Sequence, residues 1–366
     1  MRTEESERDN YIDVIKGIGI ISIVIGHASW ELNLADHVIQ IGPFVYLYHL
    51  AIFFFCSGYL YKDNITNFWD FVARKLKSLY VPFVGYTMWY LIFRSIFINM
   101  GILNGIKYDG GKWITSLASM ITFNGVAEFL SAFWFLPVLF FAISFYAAIN
   151  YFTSYINKTN VRNILRILMF MILGLVGLYT TENGYGLLYN IQISVLMVPV
   201  IAVGHYFADY KEKIGKIVNA PGCVISFIIL VGVLRANIGI VELSKHMIIN
   251  QYLFYPVTFC GIYFCLCLGK IFCKSKKVES GLSLVGKMSF DIMALHFLAI
   301  KLVDYVLCTI GDKHDLMNAF PRSFDNVWFI YYIAGVMIPI IMKKGYLKLK
   351  GYVVDKAKSI KWLEIK

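Results

Sequence analysis

Apolar residues fall along the chain in ten runs, each near the length that crosses a bilayer. They cover roughly 13–31, 42–61, 79–99, 132–152, 164–181, 187–208, 222–240, 252–272, 283–304 and 326–342. About 20 predominantly apolar residues span a membrane as a helix. Inside a bilayer only structures that satisfy their own backbone hydrogen bonds survive. The pattern therefore predicts an all-α, polytopic integral membrane protein with about ten transmembrane helices. Two connections are long. Residues 100–131 carry Asp109, Gly110, Gly111 and Glu128, and residues 305–325 carry Asp312, His314, Asp315, Arg322 and Asp325. Such loops either cover a site or simply lie in solvent. No linker and no internal repeat divides the chain. It reads as one membrane-embedded domain over 1–366, with a short polar N-terminus (1–12) and a basic tail (343–366).

Charge placement sets the orientation. With the N-terminus inside, about three quarters of the 34 Lys and Arg fall on the inner face, the asymmetry of a multi-pass protein with both termini cytoplasmic. The net charge of +11 is thus mainly topological, and nucleic acid drops out as a partner. Composition agrees: hydrophobic residues are 58% and charged residues 16%, against about 25% charged in soluble domains. So much apolar surface needs the lipid bilayer, and a cell (plasma) membrane location is expected. The first apolar run is read as a retained helix rather than a cleaved signal, because Asp13 and Lys16 interrupt it. The seven cysteines fit no zinc or disulfide spacing and read as packing residues, and no metal site is expected.

Ionisable groups inside membrane helices are costly, which makes each a functional hypothesis. His27, His49 and His296 all fall about 18–20 Å from the inner face at 1.5 Å per residue, with Arg94 a little further out. A packed histidine bonded to a neighbouring helix is the plainer reading of any one of them. On the first helix, Lys16 and His27 are separated by three turns and lie about 20° apart, with Asp13 within about 60° of Lys16. Imidazole is the group best placed to take a proton near neutral pH. Lys16 fits either a snorkelling anchor or a cation for an anionic ligand entering from the cytoplasm. Arg74 and Lys77, three apart with Lys75 beside them, form a phosphate grip or merely inner positive charge.

These same residues carry a family resemblance. YIDVIKGIGIISIVIGHASW (11–30) resembles the first helix of the acyltransferase family 3 integral membrane acyltransferases: Asp13, a base at Lys16, and His27 eleven positions further. YHLAIFFFCSGYLY (48–61) is similar to the family's second helix, with His49 and Ser57-Gly58-Tyr59. RKLKSLYVPF (74–83) resembles the basic loop and Pro that follow, WFLPVLFF (134–141) the fourth helix, and GKMSFDIMALHF (286–297) a late helix in which Gly and Ser precede His. The matches run in the family's order over nearly the whole chain, with a fucose 4-O-acetylase-like flavour. Two departures, Lys16 and Lys77 where Arg is common, keep charge but lose bidentate geometry.

The resemblance implies an O-acyltransferase that takes acetyl from cytoplasmic acetyl-CoA and delivers it to a sugar hydroxyl. The acceptor would be a glycan or a lipid-linked saccharide, served alongside polysaccharide-synthesis machinery. His27 would be the essential imidazole, supported by Asp13, His49 and His296. Arg94 or the Ser57-Gly58 backbone would stabilise the oxyanion, and Lys16, Arg74, Lys75 and Lys77 would hold CoA phosphates. A transporter or flippase of a glycan precursor is the alternative, since intramembrane charges also mark translocation paths.

Overall fold

A computed structural model describes residues 9–29, 31–34, 37–103, 107–124, 128–313, 320, 322–324 and 326–363. His314, Asp315 and Asp325 of the second long connection lie outside the described residues. The elements are α1 (Asn10–Ala28), a hairpin of β1 (Leu32–Leu34) and β2 (His37–Ile39), α2 (Ile41–Tyr46), α3 (Ala51–Tyr59), α4 (Phe68–Asn99) and α5 (Gly110–Ile121). A 3₁₀ turn (Glu128–Trp134) leads into α6 (Phe135–Thr153), α7 (Thr159–Glu182), α8 (Ile191–Leu196), α9 (Val198–Asp209) and the short α10 (Lys211–Ile214). The chain finishes with α11 (Ala220–Arg235), α12 (Gln251–Phe272), α13 (Lys276–Lys287), α14 (Ser289–Gly311) and α15 (Trp328–Leu363).

Among the described residues, eight segments are long and apolar enough to cross a membrane, and the α8–α9 pair, bent by 46°, makes a ninth. The remaining predicted span is α11, which at 16 residues is short for a crossing. The architecture is helical apart from the three-residue β1–β2 hairpin. α1 stands at the centre. Its spanning window is 72% buried, against 33% for α4 and α7 and 22% for α15. A helix that is apolar all round belongs inside a bundle, and α1 touches α2, α3, α12, α13, α14 and α15. The outer helices turn Ile92, Ile96, Ile167, Leu168, Ile172 and Ile228 outward, as lipid-facing positions should.

Three predicted helices are broken. The run 42–61 divides at Leu47–Leu50, where Leu47 and Tyr48 make tight i→i−3 bonds to Phe44 and Val45. The run 187–208 bends at Met197, next to Pro199, which cannot donate an amide hydrogen bond. The run 283–304 divides at Met288. α13 lies before the break, and His296 sits near the start of α14 rather than deep in one long helix. Conversely, the inner loop 74–82 is no loop. Asn67 caps α4 by accepting from the Trp69 and Asp70 amides, so Arg74, Lys75 and Lys77 ride on the first turns of a 32-residue helix.

Small residues let the central helices approach backbone to backbone. A Cβ on Gly58 of α3 would fall 1.9 Å from the Ile201 carbonyl of α9, and one on Gly204 of α9 2.0 Å from the Phe55 carbonyl of α3. Neither neighbour can yield without moving a helix. Gly204→Ala is therefore expected to destabilise the fold by about 1–3 kcal/mol. A melting point in detergent lowered by several degrees checks this, and an unchanged one would mean that the two helices sit further apart.

Candidate active site

Asp13 and Lys16 mark one end of the bundle, called here the basic end. His27 lies in the last turn of α1, towards the other, far end. Two other imidazoles gather around it. The ring centroid of His296 in α14 lies 5.2 Å from that of His27, edge-on. Tyr46, the last residue of α2, stands 6.2 Å from His27 and 4.4 Å from His49, ring to ring. The α2–α3 break is what turns His49 inward, since both its amide and its Nδ1 bond to the Val45 carbonyl.

The hydrogen bonds assign the ring protons. His296 Nδ1 lies 2.9 Å from the Met293 carbonyl and 3.1 Å from that of Ile292, and His49 Nδ1 lies 3.1 Å from the Val45 carbonyl. A carbonyl only accepts, so Nδ1 donates and each Nε2 carries a lone pair. His296 is wholly buried, and its Nε2 has no hydrogen-bond partner among the described residues. Leaving a buried acceptor unpaired costs about 1–3 kcal/mol, so it marks a place that something else completes. His27 alone of the three is partly accessible.

Two cavities meet at His27. A narrow one of about 40 Å³ is lined by His27, Tyr46, His49, Leu50, Ala51 and Trp134. The amides of Leu50 and Ala51, at the start of α3, have no backbone acceptor among the described residues, as expected of a helix N-terminus. The second cavity, of about 760 Å³, opens at the far end. Its walls include His27, Tyr46, Ser131, Trp134, Glu242, Ser244, Lys245, Phe297, Phe320 and Arg322. His27, Tyr46, Trp134 and Ser244 line both.

At the basic end, Lys16 Nζ lies 3.6 Å and Lys287 Nζ 4.0 Å from the Asp13 carboxylate. Lys75 is close enough to Lys16 and Arg74 to feel both charges, and its ammonium sits 5.7 Å from the Phe71 ring. Arg74 and Lys77 are exposed. The structure thus gathers Lys16, Arg74 and Lys75 and adds Lys287, which α13 brings to α1. The two helices approach closely because a Cβ on Gly286 would fall 1.8 Å from the Asp13 carbonyl. Further round this end, Lys343 pairs with Asp291 at 2.7 Å, and Tyr86 donates to the same carboxylate.

The structure places three of the expected groups away from His27. Asp13 shares the α1 stripe with His27 but lies about 21 Å away along the axis at 1.5 Å per residue, where it balances Lys16 and Lys287. Arg94 is buried in α4 with its guanidinium 3.7 Å over the Tyr108 ring, and it lines neither cavity at His27. Ser57 donates to the Phe53 carbonyl within α3, while Gly58 abuts Ile201, so that segment packs helices instead of facing the imidazoles.

A family model described as an acyltransferase domain, acyltransferase family 3, matches residues 9–343. The chain belongs to this family. It is a membrane acyltransferase by that match and by the eight long apolar helices among the described residues. Neither the curated proteins nor the solved structures give a match. The match runs from the cap of α1 to Lys343, so the histidine cluster, both cavities and the basic end all lie within the family's domain.

Sequence reasoning met Arg322 only as part of a long connection and Trp134 only within a family motif, gave neither a place at the site, and passed over Tyr46, Glu242 and Lys245. It also missed an intramembrane knot for which a signal existed, an acid three residues after a base. In α14, Asp304 is wholly buried. It takes Lys301 Nζ at 2.8 Å, the Tyr331 hydroxyl at 2.5 Å and the Ser323 amide at 3.0 Å.

Proposed function

We propose that the protein is a membrane O-acetyltransferase of the fucose 4-O-acetylase-like kind. It moves acetyl from cytoplasmic acetyl-CoA to a hydroxyl of a cell-surface or exopolysaccharide sugar. The observation that carries this reading is the place of His27, the partly accessible imidazole at which a narrow buried cavity meets a wide one at the opposite end from the cations. In this reading the basic end faces the cytoplasm. Lys16, Arg74, Lys75 and Lys77 hold the CoA phosphates, with Lys287 beside them. The pantetheine arm runs along α1 over the eleven residues from Lys16 to His27, about 16 Å of helix rise, and brings the thioester to the narrow cavity.

The chemistry balances with one proton in transit. His27 takes the proton of the acceptor hydroxyl as its oxygen attacks the thioester carbonyl. The carbonyl electrons move to oxygen, where the Leu50 and Ala51 amides at the start of α3 stabilise the charge. The C–S bond then breaks, the ester C–O bond remains, and the imidazolium proton passes to the CoA thiolate. His49 and His296, each with an Nε2 lone pair, lie close enough to stabilise the imidazolium. No metal enters this scheme, and the polysaccharide-synthesis machinery supplies the acceptor.

The test uses purified protein in nanodiscs with [acetyl-¹⁴C]acetyl-CoA and a host glycan extract. Label on glycan, with equal release of CoA, is the expected result. A membrane carrier would give neither in a system without compartments, and that outcome would sink the reading.

A further inference from the structure

The narrow cavity at His27 has two kinds of wall. His27, Tyr46, Trp134 and Ser244 line the wide cavity as well and so form its mouth. Met197, Phe254 and Thr258 line the narrow cavity alone, are all buried, and belong to its inner wall. A water needs about 10–15 Å³ of such space, so a cavity of about 40 Å³ takes about three or four groups of that size. An acetyl group (a methyl, a carbonyl carbon and an oxygen) fills it. Each further methylene of a longer acyl chain has room only if the inner wall yields.

That wall is held firmly. Met197 stands at the break between α8 and α9, where its amide bonds to the Ile193 carbonyl at 3.1 Å and to that of Ser194 at 3.3 Å. The hydroxyl of Tyr255, the residue after Phe254 in α12, donates at 2.8 Å to the carbonyl of Leu196, the residue before Met197. The helix and the break thus keep their two cavity residues in one fixed relation. α7 presses on the break as well: a Cβ on Gly177 would fall 2.4 Å from the Leu196 backbone. α9 in turn abuts α3 at Gly58 and Gly204. Close-packed interiors have little room to give, and inserted methylenes force side chains off their rotamers and shift the backbone.

We infer that the narrow cavity is the acyl pocket and that Met197 and Phe254 set the length of the acyl group, favouring acetyl over chains longer by even one methylene. This rests on the acyl-transfer reading above and adds the residues that choose the donor. The groups around the attacked carbon fix the assignment. Its oxygen turns to the Leu50 and Ala51 amides, its sulfur leads back along α1 to the basic end, and the acceptor oxygen arrives from the wide cavity. The acyl chain is left with the inner wall. The reaction is unchanged: the hydroxyl O–H and the thioester C–S bonds break, the ester C–O bond forms, and the proton ends on CoA. One methylene too many in an apolar pocket lowers kcat/KM about 10- to 200-fold.

The experiment gives purified protein in nanodiscs an equimolar mixture of acetyl-CoA and propionyl-CoA, each carrying its own isotope in the acyl group, with the host glycan extract as acceptor. Internal competition reads the ratio of the two kcat/KM values, and a ratio is independent of how much variant folds. Wild type is expected to favour acetyl by about tenfold or more. Butyryl-CoA and succinyl-CoA, each set against acetyl-CoA in the same way, are expected to compete less well than propionyl-CoA. Met197→Ala removes the γ-carbon, sulfur and terminal methyl, and is expected to bring the acetyl-to-propionyl ratio within about threefold of one. Phe254→Leu is expected to move the ratio in the same direction and serves if Met197→Ala fails to fold. Met197→Leu, which conserves volume, is expected to retain the wild-type ratio. A wild type that uses propionyl-CoA as readily as acetyl-CoA overturns the inference, and so does a ratio unmoved in both Met197→Ala and Phe254→Leu. An equal shift in Met197→Leu overturns the role given to side-chain volume. If no acyl-CoA of the series labels glycan, the acyl-transfer reading itself falls, and that result is distinguishable from a flat preference among donors that are used.

Discussion

Alanine in place of His27 is expected to lower acetyl transfer about 10²- to 10⁴-fold, the contribution typical of a positioned general base. The protein should still insert and accumulate. His27 makes ring contacts to Tyr46, His296 and Phe297, but no side-chain hydrogen bond to it is found among the described residues. Its loss strands no buried partner, and its partly accessible position limits the void that truncation leaves. Stability should therefore change far less than activity. The check is kcat in nanodiscs measured beside the melting point of the same sample. Activity within threefold of wild type at equal folding would rule out His27 as the base.

The neighbouring histidines call for a different reading. His296 is fully enclosed, so truncation to alanine opens a cavity, and large-to-small changes in a packed core cost about 2–5 kcal/mol. Loss of activity in that variant mixes chemistry with folding. A fair comparison uses variants that keep ring volume and the Nδ1–H donor role towards Met293, and it compares kcat at equal amounts of folded protein.

The bilayer made much of the fold legible. A run of about 20 apolar residues has few alternatives once lipid is the solvent, and all ten runs coincide with helical segments, α11 being the short one. The interruptions at Leu47–Leu50 and Met288 were illegible, because apolar runs continue through them. The bend at Met197 had a visible cause in Pro199. The histidine layer was legible for an energetic reason: polar groups at that depth are expensive, and three of similar depth suggest a shared purpose. Depth alone misled for Arg94, since residues at one level of a bundle can face different neighbours. Asp13 shares a face with His27 at a different level, as its fourteen-residue separation in the sequence already implied. The loop residues Glu242, Lys245 and Arg322 lie outside any periodic pattern, and only tertiary structure brings them to the cavity.

Neutralising the basic end is expected to split the two substrate parameters. In the triple variant Arg74→Gln, Lys75→Gln, Lys77→Gln, KM for acetyl-CoA should rise about tenfold, because exposed charge pairs are worth about 0.2–1 kcal/mol each and three of them reach about 1.4 kcal/mol. Lys75, partly buried against Phe71 and near Lys16, should carry the largest share. kcat should stay near wild type, because these cations lie a helix length from His27 and, in the proposed complex, would meet only the nucleotide. An acetyl thioester of N-acetylcysteamine, which has no phosphates, supplies the control, and its KM should not move. Rising salt should weaken acetyl-CoA binding in wild type and have little effect in the variant, as screening of exposed charges requires. The same lysines and arginine also help set orientation, so protease access to a C-terminal tag in sealed vesicles must first show that the variant inserts the same way. With orientation intact, an equal rise in KM for both thioesters would mean that the cations serve only the fold. A rise confined to acetyl-CoA would place its phosphates at the Lys16, Arg74 and Lys75 end of α1 and leave the thioester to reach His27 along it.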